Sequence, residues 1–117
     1  MKDIENREDI VKLLTSFYAK ASQDEIIGSK FDHLNMEEHI EVIANFWASI
    51  LFGANNYKGD PFGKHVPLDL HKADFDRWVE LFTETVDAYF SGTVADEAKL
   101  RGQTISKIFQ HKLDTLR

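Results

Sequence analysis

The chain has 117 residues, a net charge of −6 and no cysteine. One domain of this length buries roughly two-thirds of its unfolded surface, and without cysteine it holds no disulfide, thiolate metal site or thiol nucleophile. The lysines and arginines are scattered along an acidic chain, which argues against nucleic acid, since phosphate binding needs clustered cations.

The opening MKDIENREDIVKLL is charged throughout and carries no signal-peptide core. The longest apolar run, IANFWASILFGA at 43–54, is shorter than the roughly 20 residues that span a bilayer. A cytoplasmic protein without membrane insertion is expected, with one domain over 1–117 and an ordered core over about 8–115.

Residues 6–23 place Ile10, Leu13, Leu14, Phe17 and Ala21 at steps of three and four, the stripe of an amphipathic helix. Asn6 is positioned as its N-cap, and Tyr18 sits at the stripe's edge. Gly28 and Ser29 break the pattern, and 30–33 reads as a loop or single turn. Asn35 is placed to cap a second helix opening with Met36, Glu37 and Glu38. On it, His39, Ile43, Phe46, Trp47 and Ile50 share a face, and Gly53 ends it. The run ANNYKGDPFG is polar and glycine-rich, and 63–69 is expected to form one short turn at most. A third helix is expected over 74–90, striped by Phe75, Trp78, Val79, Phe82, Val86 and Tyr89. A fourth runs from about Ala95 to Leu116 through Ala98, Ile105, Ile108, Phe109, Lys112 and Leu116, the lysine laying its stem along the stripe. Few segments show strand-like alternation, so the fold class is all-α.

Four such helices can simply pack on one another. The polar rings suggest more. His39, Trp78 and Tyr18 lie on or beside aromatic stripes, and buried donors of this kind need partners. An apolar pocket with a few convergent polar groups is the mark of a ligand site. His65 stands apart, on an irregular segment two residues before Pro67. There it is either a solvent-exposed loop histidine or an imidazole held rigidly for a metal.

In order along the chain stand Tyr18 after Phe17, Phe31 thirteen residues on, HIEVIANFW from His39, KHVPLDL from Lys64, and DFDRWVELF around Trp78. This series resembles the truncated haemoglobins, most closely group III, over roughly 10–113. The glycine pairs of other truncated-globin groups are missing, as in group III.

The resemblance implies a truncated globin fold, a two-over-two helical sandwich around haem b (iron protoporphyrin IX). It implies His65 as the iron ligand, Phe31 against the haem face, and Tyr18, His39 and Trp78 as polar residues on the ligand side. Ile43, Phe46, Trp47, Phe75, Val79, Phe82 and Ile105 would line the pocket. Lys64 would reach a haem carboxylate; His71 is either solvated or does the same. The implied ligands are O2, NO and CO, and the implied chemistry is removal of nitric oxide with an external reductase. A peroxidase-like haem protein would instead use His39 as acid–base and an anionic partner, for which Asp69 is the candidate. A haem-free helical sensor or binding module is the reading from a different class.

Overall fold

The computed structural model describes residues 1–32, 34–54 and 69–117. These form four α-helices: α1 (Arg7–Ala21), α2 (Met36–Phe52), α3 (Lys72–Tyr89) and α4 (Thr93–Leu116). A 3-10 turn, Gly28–Phe31, lies between α1 and α2. Among the described residues there is no strand, as an all-α class requires. The helices α1 and α2 pair, α3 and α4 pair, and α1 lies across α3. No described helix is long and apolar enough to cross a membrane.

The helix boundaries follow from local chemistry. The Asn6 side chain accepts from the Asp9 N–H at 2.9 Å, satisfying one of the donors a helix start leaves open. Asn35 does the same for Glu38 at 3.3 Å. Helix α2 stops where Gly53 takes a left-handed φ of 70°, a conformation that glycine adopts without steric cost. Helix α3 starts two residues earlier than expected. His71 is its N-cap, and its backbone N–H donates to Asp74 Oδ2 at 2.9 Å, so the acidic residue read as the first of the helix instead braces a turn already formed.

Helix α4 is capped from the other end of the chain. The Asp3 carboxylate accepts from Val94 N at 2.9 Å and Ala95 N at 2.8 Å. Gly92, at φ 142°, makes room for it: a Cβ there would sit 2.5 Å from Asp3. Ile4 follows into the core at 1% exposure. The segment before α1 thus joins the packed structure through Asp3 and Ile4 although it carries no helical pattern.

Burial raises the Asp3 carboxyl, but the N–H groups of Val94, Ala95 and Ile4 outweigh it and hold the group below its ordinary value. A carboxylate with a lowered folded pKa stabilises the fold above its unfolded pKa of about 3.9 and loses that contribution as pH falls through the folded value. Asp3→Ala should therefore cost about 0.5–2 kcal/mol at pH 7. In urea unfolding the gap to wild type should shrink steadily below pH 4. A gap of equal size at pH 7 and pH 2.5 would mean that the carboxylate's charge is not what caps α4.

The centre of the core is aromatic. Phe82 stacks with Trp78 (centroids 4.9 Å, planes 7° apart) and with Trp47 (5.0 Å, 17°), and meets Phe17 edge-on at 5.7 Å. Helix α4 approaches these rings through Gly102, where a Cβ would come within 3.1 Å of Phe82 and 3.3 Å of Trp78. Two stripe assignments need correcting. On α3 the outer position Tyr89 is 39% exposed, with Lys12 5.7 Å over its ring, and Phe90 is the buried residue. On α4 the buried face is Ala95, Ala98, Gly102, Ser106 and Leu113, while Ile108 and Leu116 are exposed. The true stripe keeps helical spacing, but a glycine and a serine occupy its middle.

Candidate functional site

A cavity of about 300 Å³ lies between the helices, within the roughly 300–1,000 Å³ typical of small-molecule and cofactor sites. Every helix contributes to its wall. Helix α1 gives Tyr18; the segment after it gives Ile27, Lys30, Phe31 and Leu34; α2 gives His39, Ile43, Phe46 and Trp47. Leu70 precedes α3, which gives Asp74, Phe75 and Trp78, and α4 gives Ile105, Ser106 and Phe109.

The sequence-predicted residues Tyr18, Phe31, His39, Ile43, Phe46, Trp47, Phe75, Trp78 and Ile105 are thus brought together on one wall. Val79 and Phe82 are not among the wall residues. Phe82 is 1% exposed and stands behind Trp47 and Trp78, where α1, α2 and α3 meet. Lys64 and His65 lie outside the described residues, as does His33. The wall also includes Ile27, Lys30, Leu34, Leu70, Asp74 and Ser106, which periodicity does not reveal because most of them sit outside helices or are polar.

Helix α1 buries Tyr18 almost completely, with Phe17 at 4.9 Å, Phe31 at 5.5 Å and His39 at 5.0 Å around its ring, all edge-to-face. The environment is apolar, and burial pushes the phenol above its ordinary value. Tyr18 is therefore a neutral O–H donor at physiological pH. His39 Nε2 lies 3.0 Å from Tyr18 Oη. When Nε2 carries a hydrogen it donates to the phenol oxygen and leaves the Tyr18 O–H free to donate into the cavity. When Nε2 is bare, it takes the phenol proton's hydrogen bond for itself. The imidazole tautomer thus decides where the tyrosine points its donor.

Trp78 presents a second donor. Its ring lies against Phe82, with the benzo edge (Cζ3) toward Gly102 of α4. The indole N–H is on the opposite edge, and no described residue accepts from it. The Arg77 side chain beside it donates to Asp24 at 2.8 Å, and Asp24 also accepts from the N–H groups of Ile26 and Ile27. That ion pair fastens α3 to the turn that supplies Ile27 and Phe31. Burial raises the Asp24 carboxyl, but Arg77 and the two N–H groups more than reverse this.

The residues fit a flat apolar cofactor. Phe31, Ile43, Phe46, Trp78 and Ile105 are large, lie against the core, and are only half-buried where they face the cavity. Filling it would complete their burial, at about 25 cal/mol per Å² of apolar surface removed from water. Polar atoms are few: the Tyr18–His39 pair, Lys30, Asp74 and Ser106. Among the described residues no cluster of histidine and carboxylate side chains could hold a bare metal ion.

A profile of the bacterial-like globin family matches residues 2–111. The chain belongs to that family, in its group III truncated haemoglobin branch. It is 32% identical over 115 residues to the group 3 truncated hemoglobin ctb of Campylobacter jejuni, covering 92% of this chain and 91% of the relative. The crystal structure of the group III truncated hemoglobin from Campylobacter jejuni superposes with a TM-score of 0.85 at 32% identity, over 97% of this chain and 95% of that one. Globins bind haem and, through it, small gaseous ligands such as O2, and family membership assigns that function to this chain.

Proposed function

We propose that this chain holds haem b with His65 as its iron ligand and uses the cavity to turn nitric oxide and dioxygen into nitrate in the cytoplasm. The observation that supports this most is the Tyr18–His39 pair, a neutral donor set by an imidazole inside an otherwise apolar cavity. The haem iron supplies the binding position for a diatomic ligand and places partial negative charge on it. The protein's own groups do the rest. Phe31, Ile43, Phe46 and Phe75 exclude water, which strengthens every polar contact inside. Tyr18 O–H and Trp78 Nε1–H donate to the ligand and retain it. Lys64 neutralises a carboxylate of the cofactor. NO and CO occupy the same cavity.

Strong retention suits a scavenger better than a carrier. The net conversion joins one NO and one O2 with one electron to give one nitrate. Each turnover therefore draws one electron, which we assign to an external reductase. Rapid mixing of the reduced, oxygenated protein with NO should yield nitrate in proportion to the protein present. Nitrate forming no faster than with free haem would overturn the scavenging reading.

The peroxidase-like reading draws on the presence of His39 on the cavity wall. Its proposed anionic partner, Asp69, has a carboxylate that is 81% exposed and lies 2.7 Å from His71 Nε2, which holds it below its ordinary value. If His39 works as an acid–base group, His39→Leu should slow reaction with hydrogen peroxide by about 10²–10⁴-fold. Under the scavenging reading, the peroxide reaction changes little and the rate of oxygen release moves instead.

A further inference from the structure

The two faces of helix α4 differ in what they meet. Its inner face gives Ile105, Ser106 and Phe109 to the cavity wall. On the outer face of the same turns, Lys107, Ile108, His111 and Lys112 are exposed. Ile108 is 46% exposed, and Leu116 follows at 64%. The charge here runs against the rest of the chain. Residues 105–117 hold Lys107, Lys112 and Arg117 against one acid, Asp114, a net +2 in a chain of −6, so residues 1–104 carry −8. Asp114 is paired with Arg117 at 3.0 Å. Lys107 forms no ion pair with a described residue.

Cations near a helix C-terminus complement its dipole, but that effect falls off within the last turn. It leaves Lys107 and the exposed Ile108, both well before the end of α4 at Leu116, without a role. An apolar centre with a charged rim is the make-up of a recognition surface. Charges of one sign on such a rim set the partner's sign and speed the encounter. The remaining −8 turns an acidic protein away from the other faces and toward this one. A second copy meeting it across a two-fold axis would set this basic face against itself. A helix is roughly 10–12 Å across, so a protein seated here stands about one helix diameter from the cavity.

We propose that the outer face of α4 around Ile108 docks the electron donor, a small acidic electron-transfer protein. This rests on the nitric oxide reading, which draws one electron per turnover from outside the chain. In each transfer the donor's carrier group is oxidised by one electron and ferric iron returns to ferrous. Lys107 and Lys112 steer the donor in, and Ile108 packs at the centre of the contact.

The haem-loaded ferric protein is mixed in stopped flow with flavodoxin hydroquinone, an acidic one-electron donor. Binding of oxidised flavodoxin is measured alongside by calorimetry. Wild-type reduction should slow as salt rises past about 0.1 M, where the screening length is about 10 Å. Lys107→Glu should slow reduction at low salt by about three- to tenfold and weaken binding to match. Ile108→Ser should weaken binding at every salt concentration. Lys20→Glu, the same charge change at an exposed position of α1, should behave as wild type. Dithionite at high salt, which needs no docking, should reduce all four proteins alike. Equal reduction and binding for wild type, Lys107→Glu and Ile108→Ser, zero included, would overturn the docking face and leave the haem reading intact. Equal slowing by Lys20→Glu would do the same. Wild-type self-association in sedimentation that Ile108→Ser abolishes would give the face to a second copy and overturn the proposal. Docking in the expected pattern, with no nitrate formed from NO, would instead overturn the nitric oxide reading alone.

Discussion

Tyr18→Phe should speed oxygen release by about tenfold to a hundredfold, the loss expected for one hydrogen bond to a ligand bearing partial charge. The substitution keeps the ring among Phe17, Phe31 and His39 and removes only the hydroxyl. It also removes the 3.0 Å contact with His39 Nε2. Because burial raises the phenol above its ordinary value near 10, the wild-type off-rate should show no inflection from tyrosine ionisation below about pH 10. Stopped-flow displacement of oxygen by carbon monoxide measures the rate directly. An off-rate unchanged in Tyr18→Phe would remove Tyr18 from the donor role and leave Trp78 as the candidate.

Phe82→Ala should destabilise the apoprotein by about 3–5 kcal/mol, the range for deleting a buried aromatic ring. Phe82 is 1% exposed and touches the rings of Phe17, Trp47 and Trp78. It thereby joins α1, α2 and α3 at the back of the cavity. Native domains are stable by only about 5–15 kcal/mol, so one such loss consumes a large share. Urea unfolding measures it. A change under about 1 kcal/mol would show that these stacked rings are not the core's anchor. Since Phe82 is behind the wall, the spectrum of whatever haem the variant retains should resemble wild type.

The helices were legible because their apolar residues recur at three and four and their first residues are cap formers. Asn6 and Asn35 both cap as the spacing predicts, and Gly53 ends α2 in the left-handed conformation that favours it. The outer face of α4 was misread because hydrophobicity counting cannot see a buried glycine. Gly102 faces the core, where a Cβ would come within 3.1 Å of Phe82 and 3.3 Å of Trp78. Ile108 and Leu116 looked better and are exposed. Ile4 was missed for a related reason: its burial depends on Asp3 reaching the start of α4, a contact 91 residues long that no local pattern encodes.

The cavity was legible where its wall is helical and aromatic. Tyr18, His39, Trp47 and Trp78 lie on stripes, and the order of motifs tied them to Phe31. Lys30 and Leu70 come from a turn and an irregular segment, and only tertiary structure shows that they reach the same space. The exclusion of Phe82 from the wall is also tertiary, since a residue one turn from Trp78 can face the cavity or the junction of three helices, and spacing does not choose.

The haem assignment is tested most directly by titrating the apoprotein with haemin and following the Soret band, with His65→Ala alongside. Wild type should bind one equivalent with a sharp band that moves on reduction and again on adding carbon monoxide. His65→Ala should bind far more weakly, and added imidazole should restore the wild-type ferrous spectrum. Identical titrations and spectra for the two proteins would contradict ligation by His65, and no sharp band in either would contradict a haem site in this cavity.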